Sequence, residues 1–235
     1  MTDYIKAIFK SRPNRFIANV EIDGEEVIAH VPNTGRCKEL LVPDATVYLL
    51  PSDNPKRKTK YSLHFVENRG VLVSLYSQVA NDIVFEGIKN KKIKELAIYD
   101  NCTKEKTIGK SRIDICCSLV NNTSDDSGEE CYIEVKGVTL VEGDIAKFPD
   151  APTERGRKHL EELIKIKKEG KRAIVFFLIQ HPIGFSFEPN WKNDPEFSKT
   201  LIKAEKEGVE ILVYKSENSL EHMKIVGESL KYKLN

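Results

Sequence analysis

The stretch CYIEVKGVTL, residues 131–140, has the composition of a β-strand, with apolar or β-branched residues at most positions. Two charged residues interrupt it, Glu134 and Lys136. Successive side chains of a strand point to opposite faces, so these two project from one face while Ile133 and Val135 project from the other. The charged pair indicates either a solvated face that carries an ion pair or a functional site.

The preceding apolar stretch, SRIDICCSL at 111–119, contains one acid, Asp114. The polar segment 121–130 between the two stretches is typical of a hairpin connection, so we expect the strands to be neighbours. Two carboxylates and a lysine would then face one cleft, and carboxylates with water and a carbonyl oxygen are the ligands that Mg²⁺ takes. The alternative is structural: Asp114 as a buried acid paired with Arg112 or Lys136.

The rest of the second half alternates between helical and strand patterns. The predicted elements are a helix over 81–97, strands over 112–120 and 131–140, a helix over 153–171 with Thr153 as N-cap, a strand over 172–180, a helix over 194–208 with Asp194 as N-cap, and a strand over 209–215. This order predicts an α/β domain, residues 81–235, in which helices cover both faces of a mixed sheet.

The first 80 residues contain strand signals without a helical pattern between them. FIANVEIDGEEVIAHV, residues 16–31, consists of two alternating runs around Asp23-Gly24, a strong hairpin signal. Further strands are predicted at 45–50, 61–66 and 70–76. Short, closely spaced strands of this kind predict a small OB-like β-barrel of about five strands in residues 1–80. The whole chain is then α+β.

Composition narrows the class of protein. The 235 residues are 31% charged and 40% apolar, as in ordinary soluble proteins, and the net charge is +1. The N-terminus lacks a secretory pattern and the apolar run at 173–179 is too short to span a bilayer, so we expect a cytoplasmic protein without a membrane segment. Five cysteines without a C-x-x-C pair predict reduced thiols instead of a disulfide framework or a zinc site.

Since the net charge is close to zero, any nucleic-acid binding must come from local clusters. Around the first hairpin, side chains suited to phosphate contacts are Arg12, Asn14, Arg15, Asn33, Thr34, Arg36 and Lys38. Thr153, Arg155 and His159 surround the start of a helix, where backbone N–H groups favour anions. The alternative for these three is a solvated first turn. Arg112, close to Asp114, is a further candidate DNA contact.

The order of the charged residues resembles the PD-(D/E)XK nuclease core: an aspartate, then Glu-x-Lys on the next strand, with an acid-bearing helix before and a basic helix after. Four strings resemble one branch, the sugar fermentation stimulation protein A family. They are RFIANVEIDGEEVIAHVPNTGR, GKSRID, YIEVKGVTL and FPDAPTERGRKHLEEL. The resemblance covers nearly the whole chain. One departure is Ile113, where the strict motif has proline.

This resemblance implies an N-terminal OB-fold and a C-terminal nuclease-like domain. It implies a catalytic set of Asp114, Glu134 and Lys136, with Asp114, Glu134 and Glu86 as ligands of Mg²⁺ or Mn²⁺. DNA is the implied partner, bound largely without regard to sequence because no recognition helix is evident. A homodimer is a further expectation. Two functions stay open: a metal-dependent DNA nuclease, or a DNA-binding regulator of sugar metabolism, maltose in particular, that keeps the nuclease-like core as a scaffold.

Overall fold

A computed structural model describes residues 3–33, 35–108, 111–119 and 129–235. Its helices are α1 (Val79–Lys89), α2 (Glu154–Lys168) and α3 (Pro195–Lys206). Its strands are β1 (Ile5–Asn14), β2 (Ile17–Ile22), β3 (Glu25–His30), β4 (Thr46–Pro51), β5 (Tyr61–Asn68), β6 (Val71–Ser74), β7 (Asn101–Ile108), β8 (Ser111–Ser118), β9 (Glu130–Val138), β10 (Val141–Glu142), β11 (Ile145–Phe148), β12 (Arg172–Ile179), β13 (Ser186–Pro189), β14 (Glu210–Asn218), β15 (Met223–Val226) and β16 (Lys231–Tyr232).

The first strands form the predicted OB-like barrel. Strands pair in the order β3-β2-β1-β4-β5, parallel pairing of β3 with β5 closes the ring, and β6 extends from β5. Asp23 and Gly24 both have positive φ, 50° and 86°, which suits the tight turn that joins β2 to β3. Small apolar side chains such as Ala18 and Val20 fill the barrel core. The five-stranded barrel is therefore confirmed.

The second half is built on a six-stranded mixed sheet in the order β15-β14-β12-β9-β8-β7. Strands β9, β12 and β14 are parallel, and the others are antiparallel to their neighbours. Helix α1 packs on one face of this sheet, and α2 and α3 pack on the other. Helices on both faces of a mixed sheet are thus confirmed. Strands β10, β11, β13 and β16 form a separate small sheet.

The predicted helix starts agree with the structure. The Thr153 hydroxyl accepts a hydrogen bond from the Gly156 N–H, and the Asp194 carboxylate accepts one from the Phe197 N–H, so both residues cap their helices. Pro195 occupies the first turn of α3, where its missing N–H costs nothing. Among the described residues, no helix combines the length and apolar character needed to cross a bilayer.

Two predictions about the region after residue 80 need correction. The helix predicted over 81–97 ends at Lys89, because Lys91 adopts a left-handed conformation (φ 54°) and the chain continues as a short 3₁₀ turn, Lys94–Leu96. Strand β7 was not predicted, since its sequence is mostly polar. It lies at the edge of the sheet, where one side is solvated and no apolar alternation is required.

The cysteines also depart from expectation. Cys102 on β7 and Cys117 on β8 lie directly opposite each other, with Cα atoms 4.1 Å apart, and form a disulfide. The prediction that all five cysteines are reduced thiols is therefore wrong for Cys102 and Cys117. The spacing of the two residues along the chain carries no disulfide signal, because the register of β7 against β8 is what brings them together. Cys37, Cys116 and Cys131 are free and buried.

The barrel and the sheet domain contact each other through polar groups. The Asp150 carboxylate accepts a hydrogen bond from the Cys37 N–H (3.2 Å). The Asn218 side chain donates to the Leu72 carbonyl of the barrel (2.9 Å). These contacts set the two walls of a cleft, at whose floor the carboxyl ends of β9 and β12 lie.

Candidate active site

Asp114 lies where the pairing of β8 with β9 stops. The paired register runs from Ser118 to Ile115 on β8. Beyond it, the Val135 N–H of β9 donates to the Asp114 Oδ2 (2.9 Å) instead of to a backbone carbonyl. The other oxygen, Oδ1, accepts from the Asn81 side chain at the start of α1 (2.8 Å). The two hydrogen bonds fix the orientation of this half-buried carboxylate at the edge of the cleft.

Glu134 projects from β9 into the same region and is only 1% exposed. Its Oε1 accepts from the Lys136 ammonium (2.7 Å) and contacts the His159 Nδ1. Its Oε2 is buried and has no hydrogen-bond partner within the described ranges. Leaving a buried carboxylate oxygen unpaired is energetically costly, so such an atom in a folded protein requires an explanation.

The two carboxyl groups influence each other's protonation. Burial and then the nearby charge of Glu134 raise the pKa of Asp114. Burial alone would raise the pKa of Glu134 as well, but the charge of Lys136 and the contact with His159 outweigh it and hold that pKa below its ordinary value. The pair therefore behaves as two neighbouring acids whose mutual repulsion is only partly compensated.

Lys136 and His159 complete the cluster. The Lys136 ammonium lies 3.3 Å from the His159 Nδ1, and the Arg155 Nε donates to the His159 Nε2 (3.3 Å). A proton on Nδ1 fits both sides of the ring, since Nδ1–H faces Glu134 and Nε2 accepts from Arg155. Arg155 and His159 are four residues apart on α2, so they lie one turn apart on the same face of the helix.

The cluster lies beside a cleft of about 570 Å³ between the two domains, which Lys136 and Arg155 line and Asp114 and Glu134 do not. From the sheet domain its lining includes Lys136, Lys147, Arg155 and Gln180, together with the acids Asp150 and Glu154; from the barrel it includes Arg15, Asn33 and Gly35. An adjoining cavity of about 800 Å³ lies along the barrel. We call this second cavity the basic groove, since its described charged lining is Lys10, Arg12, Arg15, Arg36 and Lys38, with no acid.

Arg12 supports the loop between the barrel and the cleft. Its guanidinium donates to the backbone carbonyls of Arg36 (2.6 Å), Arg15 (2.7 Å) and Asn33 (2.8 Å). With these donors committed to three backbone carbonyls, Arg12 shapes the wall of the basic groove instead of presenting a free cation.

The remaining predicted barrel contacts separate into two groups. The side-chain oxygens of Asn14 and Asn33 accept from the backbone N–H groups of Phe16 and Gly35, so both asparagines stabilise turns. Arg15, Arg36 and Lys38 are exposed along the basic groove. Thr34 lies outside the described residues.

The structure places Glu86 and Arg112 away from the cluster. The Glu86 carboxylate is exposed, lies 3.6 Å from the Lys89 ammonium and lines a different cavity of about 260 Å³. Helix α1 presents Asn81, not Glu86, to Asp114. The Arg112 guanidinium is exposed and contacts Glu105 (3.4 Å).

Three residues at the site were not singled out from the sequence: Asn81, Asp150 and Gln180. Gln180 follows directly after β12, a parallel neighbour of β9, and carboxyl ends of parallel strands share one edge of a sheet. The position of Gln180 directly after a buried strand was therefore a signal present in the sequence. Its side chain packs so closely on Gly137 that a Cβ there would meet the Gln180 Oε1 at 2.3 Å. Asn81 and Asp150 carry no local signal of this kind.

The candidate metal ligands are few. Within the described ranges, no group of three or more His, Cys, Asp or Glu side chains is arranged to hold a metal ion. The site therefore offers two carboxylates, Asp114 and Glu134. Any bound divalent cation would have to complete its coordination with backbone carbonyls and water, as Mg²⁺ commonly does.

Comparisons with known proteins agree with one another. Residues 78–222 match the family described as "Sugar fermentation stimulation protein RE domain", and residues 11–75 match the "SfsA N-terminal OB domain". A "Sugar fermentation stimulation protein homolog" of Methanobrevibacter smithii is 63% identical, with 99% of each chain covered. A homolog of the same name from Clostridium tetani is 49% identical, over 89% of this chain and 88% of the relative.

One solved structure is similar throughout. It is described as "The structure of Pyrococcus Furiosus SfsA in complex with Ca2+", with a TM-score of 0.86, 30% identity, and coverage of 99% of this chain and 97% of that one. The agreement in sequence, in both domains and in fold leaves one assignment: the chain belongs to the sugar fermentation stimulation protein family.

Proposed function

We propose that this protein is a divalent-metal-dependent phosphodiesterase that cuts DNA. The observation that carries the proposal is the convergence of Asp114, Glu134 and Lys136 beside a cleft that Lys136 lines, with one Glu134 oxygen buried and unpaired among the described residues. A carboxylate pair that serves only stability has no reason to leave an acceptor unsatisfied.

The donor set fits a hard divalent cation. Asp114 and Glu134 would hold the ion, and the unpaired Oε2 of Glu134 is the atom best placed to gain from it. When bound, such an ion lowers the pKa of a coordinated water and offsets the charge of a phosphate. The similar Pyrococcus furiosus protein was solved with Ca²⁺, also an oxygen-liganded cation. Mg²⁺ and Mn²⁺ are the ions we propose for this chain.

The neighbouring cations have distinct roles in this proposal. The Lys136 ammonium, which lines the cleft, orients the attacking water and offsets the charge that grows on the phosphate. His159 positions Glu134 through its Nδ1–H, and Arg155 holds the far side of the same ring. The exposed cations of the basic groove supply the grip on the DNA backbone.

Plasmid cleavage with and without Mg²⁺ or Mn²⁺ tests the proposal. Asp114→Asn and Glu134→Gln should each reduce metal-dependent cleavage at least about 100-fold while DNA binding persists, because charge stabilisation of this kind is worth 10²–10³ in rate. Lys136→Ala should lose cleavage but keep metal affinity, measured by calorimetry. The matched control is Glu86→Gln, which removes an exposed carboxylate of α1 and should stay within about twofold.

A parent protein that binds DNA but never cuts it, with any of these metals, would overturn the proposal. That result would favour the alternative, a DNA-binding regulator that retains the nuclease-like core as a scaffold. The names of the relatives, which refer to sugar fermentation, are the observation in favour of this second function.

A further inference from the structure

The basic groove has an apolar floor beneath its cationic rim. Besides the cations, its lining includes Phe9, Leu41, Val42 and Pro43. Phe9 and Leu41 belong to the barrel core, so the accessible apolar surface comes from Val42, which is 45% exposed, and from the exposed Pro43. Metal-dependent cleavage at Asp114 and Glu134 makes no use of this apolar surface, which lies along the barrel.

We infer that the basic groove holds a single-stranded stretch of the DNA, with its bases on the apolar floor and its phosphates on the rim; this rests on the proposed function. A duplex exposes its phosphates and keeps the faces of its bases stacked inside, so it needs cations but gains nothing from an apolar floor inside a concavity. An unpaired base offers a free π-face to such a floor. The exposed cations Arg15, Arg36 and Lys38, with no acid along the described lining, match the backbone charge. Arg12 is committed to backbone carbonyls, and Lys10 pairs with Glu21 and Asp44.

An exposed aromatic residue neighbours Arg15, although it does not itself line either cavity. Phe16, in the turn between β1 and β2, is 51% exposed, and the Arg15 guanidinium lies 5.8 Å from its ring centre. Arg15 itself lines both the basic groove and the cleft. A base that leaves the apolar floor would meet this aromatic and cationic pair before it reaches the cleft.

The two cavities adjoin. Arg15, Gly35, Ala151 and Pro152 line both of them, so a chain that crosses these residues from the groove reaches the cleft that Lys136 lines. A single strand seated in the groove therefore continues toward the carboxylates. The groove selects unpaired DNA and delivers its backbone to the cleft.

Fluorescence anisotropy of the full chain without divalent metal tests this inference. The probes are a thymidine oligonucleotide, its duplex with adenosine, and an abasic oligonucleotide of equal length and charge. We expect the thymidine strand to bind about tenfold more tightly than the abasic strand, the effect of stacking a single base. Val42→Ser and Phe16→Ser should each weaken thymidine binding by about that factor and change abasic binding by less than twofold.

Ile98→Ser is the matched control, because Ile98 is 55% exposed, lines none of the three cavities and, unlike Phe16, is not next to a residue that lines one. Equal affinity for thymidine and abasic strands, or a duplex bound more tightly than either, would overturn the inference. So would Val42→Ser and Phe16→Ser variants that bind like the parent. In each of these outcomes the protein still cleaves DNA in the presence of metal. If the proposed function is wrong instead, cleavage is absent while the thymidine strand still binds more tightly than the abasic strand.

Discussion

At the scale of single residues, the position of Glu134 is determined by partners that come from outside its own strand. Lys136 lies two positions away on the same face of β9, as the alternation predicts, but His159 comes from α2. The sequence alone linked His159 with phosphate binding. Its ring instead faces the carboxylate and the ammonium, and only the packing of α2 against β9 shows this.

A second acid on the same strand provides a test of pH dependence. The Glu130 carboxylate accepts from the Lys106 ammonium (2.6 Å) and the Tyr132 hydroxyl (2.7 Å), and Lys171 lies 3.2 Å away. These contacts, Lys106 foremost, lower the pKa of Glu130 to about 2. Since the pKa is lower in the folded state, the stabilisation is present above the ordinary value near 4.5 and is lost as the pH falls toward 2.

We therefore expect Glu130→Gln to lower the free energy of unfolding by about 1 kcal/mol at pH 7, a value reduced for the partial exposure of the group. The difference from the parent should shrink steadily between pH 5 and pH 2, as measured by urea unfolding. Glu221→Gln, at an exposed carboxylate with no ion-pair partner among the described residues, is the control and should change little at either pH. A pH-independent difference for Glu130→Gln would contradict the assignment.

At the scale of helices and strands, one buried carboxylate joins the starts of two helices. The Asp194 Oδ1 caps α3 through the Phe197 N–H (2.9 Å), and its Oδ2 accepts from the Thr153 N–H at the start of α2 (2.8 Å). The Arg157 guanidinium also contacts this group (3.0 Å). Asp194 thus helps to orient the helix that carries His159.

Asp194→Ala should lower the free energy of unfolding by about 3 kcal/mol, because it breaks a buried ion pair and removes a cap. Cleavage should fall in parallel, since α2 loses one of its anchors. Asp82→Ala, which removes an exposed carboxylate paired with Lys104 (2.8 Å), should cost less than about 1 kcal/mol. Urea unfolding of both variants and the parent measures these changes in the free energy of unfolding. Similar losses for Asp194→Ala and Asp82→Ala would refute the anchoring role.

Local signals predicted the elements whose apolar pattern and capping residues agree. The Asp23-Gly24 hairpin, both capped helices and the buried strand β12 belong to this group. Strand β7 does not, because an edge strand with a solvated side needs no apolar alternation. The cysteine pair was missed for a related reason: strand register, which the sequence does not display, brings the two thiols together.

The candidate site shows the same limit. Asp114, Glu134 and Lys136 could be placed together because strand alternation and a hairpin relate them. The contact from α1 could not, because it depends on how the helix is rotated about its axis. Asn81 and Glu86 are five residues apart, which corresponds to about 140° around the helix. When Asn81 faces Asp114, Glu86 necessarily faces elsewhere, and no motif of charged residues reports that rotation.

At the scale of the whole molecule, the path from the basic groove to the cleft depends on how the two domains meet. Asp150 precedes α2 and accepts from the Cys37 N–H of the barrel loop. The fit is close: a Cβ on Gly35 would meet the Asp150 Oδ2 at 2.3 Å. The loop that Arg12 supports from one side is therefore held by Asp150 from the other, and both cavities share its residues.

DNA affinity should reflect the exposed cations of the basic groove through its dependence on salt. Each phosphate contact releases counterions, so the logarithm of the affinity falls linearly with the logarithm of the salt concentration, by about 0.7 to 0.9 per contact. Arg15 and Arg36 are exposed cations of the groove, whereas Arg12 is committed to backbone carbonyls. Replacing both exposed arginines by alanine should weaken binding and reduce the slope by about 1.5, without selecting among sequences.

The matched control is the double variant Lys203→Ala and Lys206→Ala, which removes the same net charge from exposed positions of α3 that line none of the three cavities. Titrations of one labelled oligonucleotide at several salt concentrations give both slopes. If the groove supplies the contacts, the α3 variant keeps the parent slope, since distant charges are screened beyond about 10 Å at 0.1 M salt. Equal slopes for the two double variants would contradict the role of the groove. The overall charge of the protein would then be the source of DNA binding, and a net charge of +1 is too small to produce appreciable binding.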